Sequence, residues 1–555
     1  MTAIGVRIWA RDAALWTGDP EAAKEVAERL GWLDLPESMR PHLDDLRDFA
    51  GRVRADGIDR VLVCGMGGSS LCVEVLARVL GPGSVGVPSE PGPPGPSARD
   101  RRRAAGLPVR VLDSTHPAAV AAADEWAVPE RTLYVIASKS GTTTEPNDFA
   151  AFFEARAAEA LGPAAGGHLV AITDPGTVLV EHAEAFGYRR AFPNPPDVGG
   201  RYSALSLFGL VPAALLGVDL DALLERAREL ALECGPDVAD EDNPGVELGR
   251  FMAEHALAGR DKVTVLTVPE LAVFGLWVEQ LLAESTGKHG KGLLPVVNEA
   301  PGPPEAFGED RAVVAIDYAG VSAPGASQLK ALERPVMFLG LGEGVELGAE
   351  FLRWEFATAV AGHLLGVNAF DQPDVQAAKD ATKRVLAELA RGGELPAPPV
   401  WLRDERDVGA VAAVLRELLA GAGPGQYVAL QAYLDPAPPV ETALEAVRTR
   451  IRGATRAATT VGFGPRFLHS TGQYHKGGPN TGRFIQLVDR PARDLDVPGR
   501  GYSFGTLVAA QAAGDAEALE AKGRHVVRIG VDGPSSLDLL AEAVTVALGD
   551  AGPVR

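Results

Sequence analysis

The chain has 555 residues, 46% of them apolar, and a formal net charge of −21. That length allows a large buried core and several domains without disulfide or metal staples. The acidic balance argues against bulk attraction to nucleic acid or anionic membrane. Three cysteines (Cys64, Cys72, Cys234) are too few for a disulfide scaffold or a Cys-rich zinc site.

Residues 1–45 read as a helical segment of two short helices around a turn; Asp19-Pro20 starts the second, with Glu21, Lys24, Glu25 and Glu28 on its wet face. No secretory core stands in residues 1–20, and no apolar stretch approaches the ~18 residues of a membrane span. Sparse thiols suit a reducing compartment, so a cytoplasmic enzyme without membrane or nucleic-acid partners is expected.

A short apolar run at 59–64 ends in Gly65-Met66-Gly67-Gly68-Ser69-Ser70, and an apolar helical pattern follows to about Leu80. Residues 81–106 carry six prolines and a basic cluster (Arg99, Arg101, Arg102, Arg103) and read as a flexible surface insert. Further strand-like runs lie at 109–112, 133–137, 168–173, 263–267, 313–316, 336–339, 427–430, 484–488 and 525–529, mostly with helical patterns between them. Short apolar strands alternating with helices predict parallel sheets covered on both faces. A helix-rich stretch, 203–258, with two helical patterns in succession and few strand signals, links two α/β units. The expected domains are a helical segment 1–45, an α/β domain 46–240 holding the insert, and an α/β domain 241–555 with a C-terminal extension.

Two loops carry the chemistry. The first, Gly65–Ser70, hands a strand to a helix N-terminus, where free N–H groups and the helix dipole favour an anion. It is neither G-x-G-x-x-G nor a Walker loop, so nicotinamide and ATP are not indicated. The second, Ser138-Lys139-Ser140-Gly141-Thr142-Thr143-Thr144-Glu145, crowds hydroxyl and amino groups ahead of another helix. A helix cap needs one hydroxyl; this many short donors suits a phosphate monoester. The ten histidines form no H-x-x-x-H or H-E-x-x-H pair, so no metal and no cofactor is expected.

These two loops resemble those of the sugar-isomerase (SIS) domain, and more closely the glucose-6-phosphate isomerase family. Supporting segments are Gly199-Gly200-Arg201-Tyr202-Ser203, Glu284-Ser285-Thr286-Gly287-Lys288, Gln372-Pro373-Asp374-Val375 with Lys379, and Leu468-His469-Ser470-Thr471-Gly472-Gln473. The whole resembles the isomerase part of transaldolase–isomerase fusion proteins, with no transaldolase region ahead of it. The resemblance implies two SIS-type three-layer αβα sandwiches and interconversion of glucose 6-phosphate and fructose 6-phosphate through a cis-enediol. The phosphate would sit on Ser138, Lys139, Ser140, Thr142 and Thr143, with Gly67, Gly68 and Ser69 beside it.

By the same resemblance, Glu284 is the base that moves a proton between C1 and C2. It stands at the end of an apolar helical pattern, where partial burial can raise its pKa. Arg201, after two glycines, stabilises the enediolate. His469 and Lys379 are implied in opening the sugar ring, with His475 and His289 as rivals of His469. In the usual pattern the His segment precedes the Gln-Pro…Lys segment; here the order is reversed. The family implies a homodimer in which each site borrows a histidine from the other subunit. A dual phosphoglucose/phosphomannose isomerase is the runner-up, with Thr286 or Thr471 as candidates for discrimination at C2. A non-catalytic phosphosugar sensor lacks the basic DNA-binding module it would need. An amidotransferase-linked transferase would need a cysteine nucleophile where Thr2 stands.

Overall fold

The computed structural model describes residues 3–81, 106–331, 333–342, 344–533 and 535–549. The basic cluster Arg99 and Arg101 to Arg103 lies outside the described residues.

Fourteen strands form three sheets among the described residues, and every pairing between them is parallel. The first sheet contains β1 (Arg60–Gly65), β2 (Val109–Leu112), β3 (Thr132–Ala137), β4 (Leu169–Thr173) and β5 (Arg190–Pro193), in the order β2-β1-β3-β4-β5. β3 is buried along its whole length, as expected of a central parallel strand with helices on both faces. The chain reverses its winding between β1 and β3. Ligands of open α/β sheets bind beyond the strand carboxyl ends at such a switch point, and both expected anion loops leave the sheet there.

The second half of the chain distributes its strands over two sheets rather than one. β6 (Lys262–Thr267), β7 (Leu294–Val297), β8 (Arg311–Tyr318) and β9 (Val336–Leu341) run in the order β7-β6-β8-β9. β10 (Val400–Leu402), β11 (Tyr427–Tyr433), β12 (Ala458–Phe463), β13 (Gly482–Val488) and β14 (His525–Val531) run in the order β10-β14-β13-β11-β12. Edge strands β7 and β12 face each other. Arg448 fills the seam between them, donating to the carbonyls of Val297 (2.9 Å), Asn298 (3.1 Å) and Thr459 (2.8 Å). One guanidinium thus satisfies edge carbonyls that would otherwise be buried without donors. β5, β7, β10 and β12 escaped the sequence pattern; all but β12 have four residues or fewer, and β12 opens Ala-Thr-Thr.

The linking stretch is helical, but in three helices rather than two: Leu207–Leu215, Leu220–Glu233 and Pro244–Leu257. The N-terminal segment is more broken than two helices and is clamped to the rest of the chain. Trp9 donates to the Cys234 carbonyl (2.7 Å) and Trp16 to that of Ala359 (2.8 Å). Ile8, Trp16 and Trp32 belong to one apolar core that also holds Val61, Leu210, Phe274 and Phe351. This core joins the first sheet to the helix Ala272–Thr286, so the helix bearing Glu284 is rigidly set against the Gly65–Ser70 and Ser138–Glu145 loops.

Candidate active site

A cavity of about 430 Å³ opens beyond the carboxyl ends of β1 and β3. Glu284, His469, Lys379 and Arg201 all line it, brought together from four separate segments. The loop residues Gly67, Gly68 and Ser69 line it as well, and so do Ser138, Lys139, Ser140 and Thr143. Thr142 is not among its walls; its hydroxyl lies 2.9 Å from that of Ser140 and braces the loop.

The glycines act by letting protein approach protein. A Cβ on Gly68 would lie 1.8 Å from the Gly200 carbonyl oxygen, and one on Gly67 would lie 2.7 Å from Gln280 Nε2. Gly67 also has φ +56°, which L side chains rarely adopt. Without side chains at 67 and 68, the Gly199–Arg201 turn nests against the loop and carries Arg201 inward.

The second loop caps nothing. Thr143 is the N-cap of the 18-residue helix Thr144–Leu161, yet it makes no side-chain cap hydrogen bond. The Glu145 N–H turns to its own carboxylate and Pro146 has none, so the Thr144 N–H is the one left at the helix start, and Ser138 donates to Thr143 Oγ1 at 3.3 Å across the loop mouth. The Lys139 amine is engaged by the Asp174 carboxylate and the Pro196 carbonyl (2.9 Å). Burial pulls its pKa below the usual lysine value, against the pull of Asp174.

Glu284 occupies the last turn of the helix Ala272–Thr286, with 13% of its side chain exposed. Its Oε1 lies 3.2 Å from Arg201 Nη1 and its Oε2 accepts from Gln280 at 3.2 Å. Arg201 is fixed on its remaining sides. It donates to Ser285 Oγ (2.8 Å), Gln372 Oε1 (2.9 Å) and the carbonyls of Ala369 (2.8 Å) and Asp371 (3.0 Å). Beneath it, buried Lys288 clasps the same turn through the carbonyls of Asn368 and Asp371 and the Asp371 carboxylate. Burial and the neighbouring Arg201 charge lower its ammonium to about 8, with Asp371 opposing. The Glu284 carboxylate thus sits between a rigid cation and an amide.

His469 ends a short turn after β12, and its Nε2 lies 3.3 Å from Glu145 Oε1. Burial works against charge on Glu145, but the His469 ring, the Glu145 N–H and Lys379 together outweigh it, and the carboxyl stays below its usual range. The rivals are elsewhere. His475 is buried, stacked on Tyr427 and bonded to its hydroxyl at 3.0 Å, and burial drives its ring well below the usual pKa. His289 is exposed on a turn outside the cavity. Thr286 and Thr471 do not line the cavity either, and the Thr286 hydroxyl is committed to the Leu282 carbonyl (2.7 Å) and the Leu293 N–H (2.9 Å). Neither threonine is placed to read C2.

Gln280 was not singled out in the sequence, although it lies one helical turn before Glu284. Its amide donates to Glu284 and, at 2.9 Å, to the His469 carbonyl, tying the two residues together within one chain. The expectation that a partner subunit supplies the histidine is therefore not needed to fill this cavity. A larger cleft, about 1080 Å³, lies against the opposite face of the same helix, where Glu279 replaces Glu284; none of the candidate residues lines it. Among the described residues no group of three His, Cys, Asp or Glu side chains could hold a metal ion, and no helix is long and apolar enough to cross a membrane.

No protein-family profile matches the chain. A glucose-6-phosphate isomerase of Symbiobacterium thermophilum is 32% identical over 404 residues, 64% of this chain and 87% of its own length. A hypothetical protein of Thermus thermophilus superposes with a TM-score of 0.57 at 25% identity, over 69% of this chain and 94% of the other. A glucose-6-phosphate isomerase of Chlamydia trachomatis shares the fold, with a TM-score of 0.50 at 19% identity over 70% of this chain and 78% of the other. With the two anion loops, the Glu284 helix and the His469 turn converging on one cavity, the chain belongs to the glucose-6-phosphate isomerase family.

Proposed function

We propose that this cavity interconverts glucose 6-phosphate and fructose 6-phosphate by proton transfer through a cis-enediol. The observation that carries the reading is one 430 Å³ chamber with an anion cradle at one wall and a held carboxylate at another. That volume lies within the range of small-molecule sites, roughly 300–1,000 Å³.

The substrate phosphate sits on the Ser138–Thr143 loop and the uncapped helix N-terminus at Thr144. His469 and Lys379 move the C1 hydroxyl proton to the ring oxygen, which opens the ring to the aldehyde. Glu284 then takes the C2 proton, leaving an enediolate whose negative charge gathers on the C1 oxygen. The Arg201 guanidinium, 3.2 Å from Glu284, supplies a fixed positive charge beside the reacting carbons. A proton passes from the C2 hydroxyl to the C1 oxygen, and Glu284 returns its proton to C1, giving the ketose. The proton leaves and re-enters the same substrate, so no redox partner is required. Gln280 and Arg201 fix both carboxylate oxygens of the base, which holds it for transfer to either carbon.

Glu284→Gln keeps the shape and the Gln280 contact but removes the base. Turnover in a coupled fructose 6-phosphate assay is expected to fall by ~10²–10⁴-fold, with sugar-phosphate binding retained. Near-normal turnover removes Glu284 as the base.

A further inference from the structure

Behind His469 runs a line of buried side chains that the reaction steps do not use. Glu145 Oε1, 3.3 Å from the His469 ring, also accepts from Gln511 Nε2 at 2.7 Å. Gln511 Oε1 in turn accepts from the Thr115 hydroxyl at 2.8 Å. Thr115, Gln511 and Glu145 are 0%, 3% and 5% exposed. They come from three remote parts of the chain: the segment after β2, the helix Phe504–Ala521 and the helix Thr144–Leu161.

We propose that Gln511 is a positioning residue for the isomerase reaction, anchored by Thr115 and acting on His469 through Glu145. The inference rests on the ring-opening role of His469. A carboxylate only accepts hydrogen bonds, so Glu145 dictates that the Gln511 NH₂ faces it and the amide oxygen faces Thr115. Each donor to Glu145 favours its anionic form. An anionic Glu145 then requires hydrogen on His469 Nε2, which leaves Nδ1 as the nitrogen free to exchange a proton with substrate. Remove the amide, and a buried carboxyl loses one of its donors, and the ring loses its fixed tautomer.

Other groups bear on this pair and stay in place in the test. Lys379, from the helix Val375–Leu389, lowers the Glu145 carboxyl electrostatically. Asp148, one turn along the Glu145 helix, is held by Arg500 (2.9 Å) and Tyr502 (2.9 Å). Tyr433 of β11 lies within electrostatic reach of Glu145.

The test is Gln511→Met, which keeps the volume and removes the donor, read by ¹⁵N-histidine NMR and by the pH profile of kcat/KM. The His469 signals are those lost in His469→Asn. In Gln511→Met the ring is expected to shift from the Nε2–H tautomer toward a mixture and to titrate at a different pH. The kcat is expected to fall roughly ten- to a hundredfold, with KM little changed, as for loss of a hydrogen bond to a charged group. An unchanged His469 titration together with unchanged kcat overturns the proposal. Thr115→Val leaves the amide in place and removes only its anchor. It carries the test if Gln511→Met does not fold: a smaller shift of the same kind supports the relay and none overturns it. Should His469→Asn retain full turnover, the ring-opening role fails, and the NMR shift still decides whether Gln511 governs the ring.

Discussion

Glu284→Gln and His469→Asn chains, co-expressed so that they mix freely, report how many chains one site needs. Each lesion removes one proton-transfer group, so each variant alone is expected to lose ~10²–10⁴-fold, or ~3–5 kcal/mol of transition-state stabilisation. In a two-fold dimer that shared its histidine across the interface, half of randomly mixed dimers would be mixed. Each of those would own one intact and one doubly damaged site, restoring roughly a quarter of wild-type turnover. Here Glu284 and His469 line one cavity of one chain, and Gln280 bridges the Glu284 carboxylate and the His469 carbonyl at 3.2 and 2.9 Å. Every chain in the mixture then carries one lesion in its own site, whatever its oligomeric state. The expected activity is the mean of the two parents, at least about 25-fold below the shared-site value. The assay is initial-rate fructose 6-phosphate formation, with wild type and each parent at the same total chain concentration. Recovery to about a quarter of wild type refutes the single-chain site.

Two further outcomes follow from the packing. Gly68→Ala drives a methyl group to within 1.8 Å of the Gly200 carbonyl oxygen. It is expected to cost ~1–3 kcal/mol by overpacking and to displace Arg201, so thermal stability and turnover should fall together. Unaltered Tm and kcat would mean the turn does not nest as described. Glu279, 6% exposed on the face opposite Glu284, has its carboxyl pushed up to about 7 by burial, against Arg448 and Arg466. The folded chain therefore binds the proton more tightly than the unfolded chain, and stability is lost as pH rises from about 4.5 through about 7. Glu279→Gln removes that loss, for a gain of at most ~3 kcal/mol above pH 8 and little at pH 4. Parallel Tm-against-pH curves for the two proteins would contradict it.

What the sequence made legible was local. Both loops stand out through strand–loop–helix punctuation, and that pattern survives in the structure because each loop leaves a buried parallel strand at the switch point of the first sheet. What it hid depends on distance in space. Nothing in the spacing says that the Lys139 amine meets Asp174, 35 residues on, or that Gln511 reaches back to Glu145. The choice between His469 and His475 was equally closed: the two lie six residues apart with similar polarity around them. Tertiary packing separates them, since Tyr427 draws the His475 ring into an apolar layer with Phe484, while His469 remains at the end of its turn beside the cavity.

The Gln372…Lys379 segment precedes His469 along the chain, yet both reach one cavity, and the topology explains how. The helix Val375–Leu389 packs along the helix Phe504–Ala521 and meets the turn that carries His469. Lys379 and His469 therefore reach the cavity from adjoining elements, whichever comes first along the chain. Gln473, four residues past His469, secures that junction: it accepts from the Asp374 N–H (2.9 Å) and donates to the Asp374 carboxylate (2.9 Å) and the Gly287 carbonyl (2.9 Å). One side chain thus ties the His469 turn to the Lys379 helix and to the end of the Glu284 helix. A constellation recognised by geometry and role needs such cross-ties more than it needs a fixed order of segments.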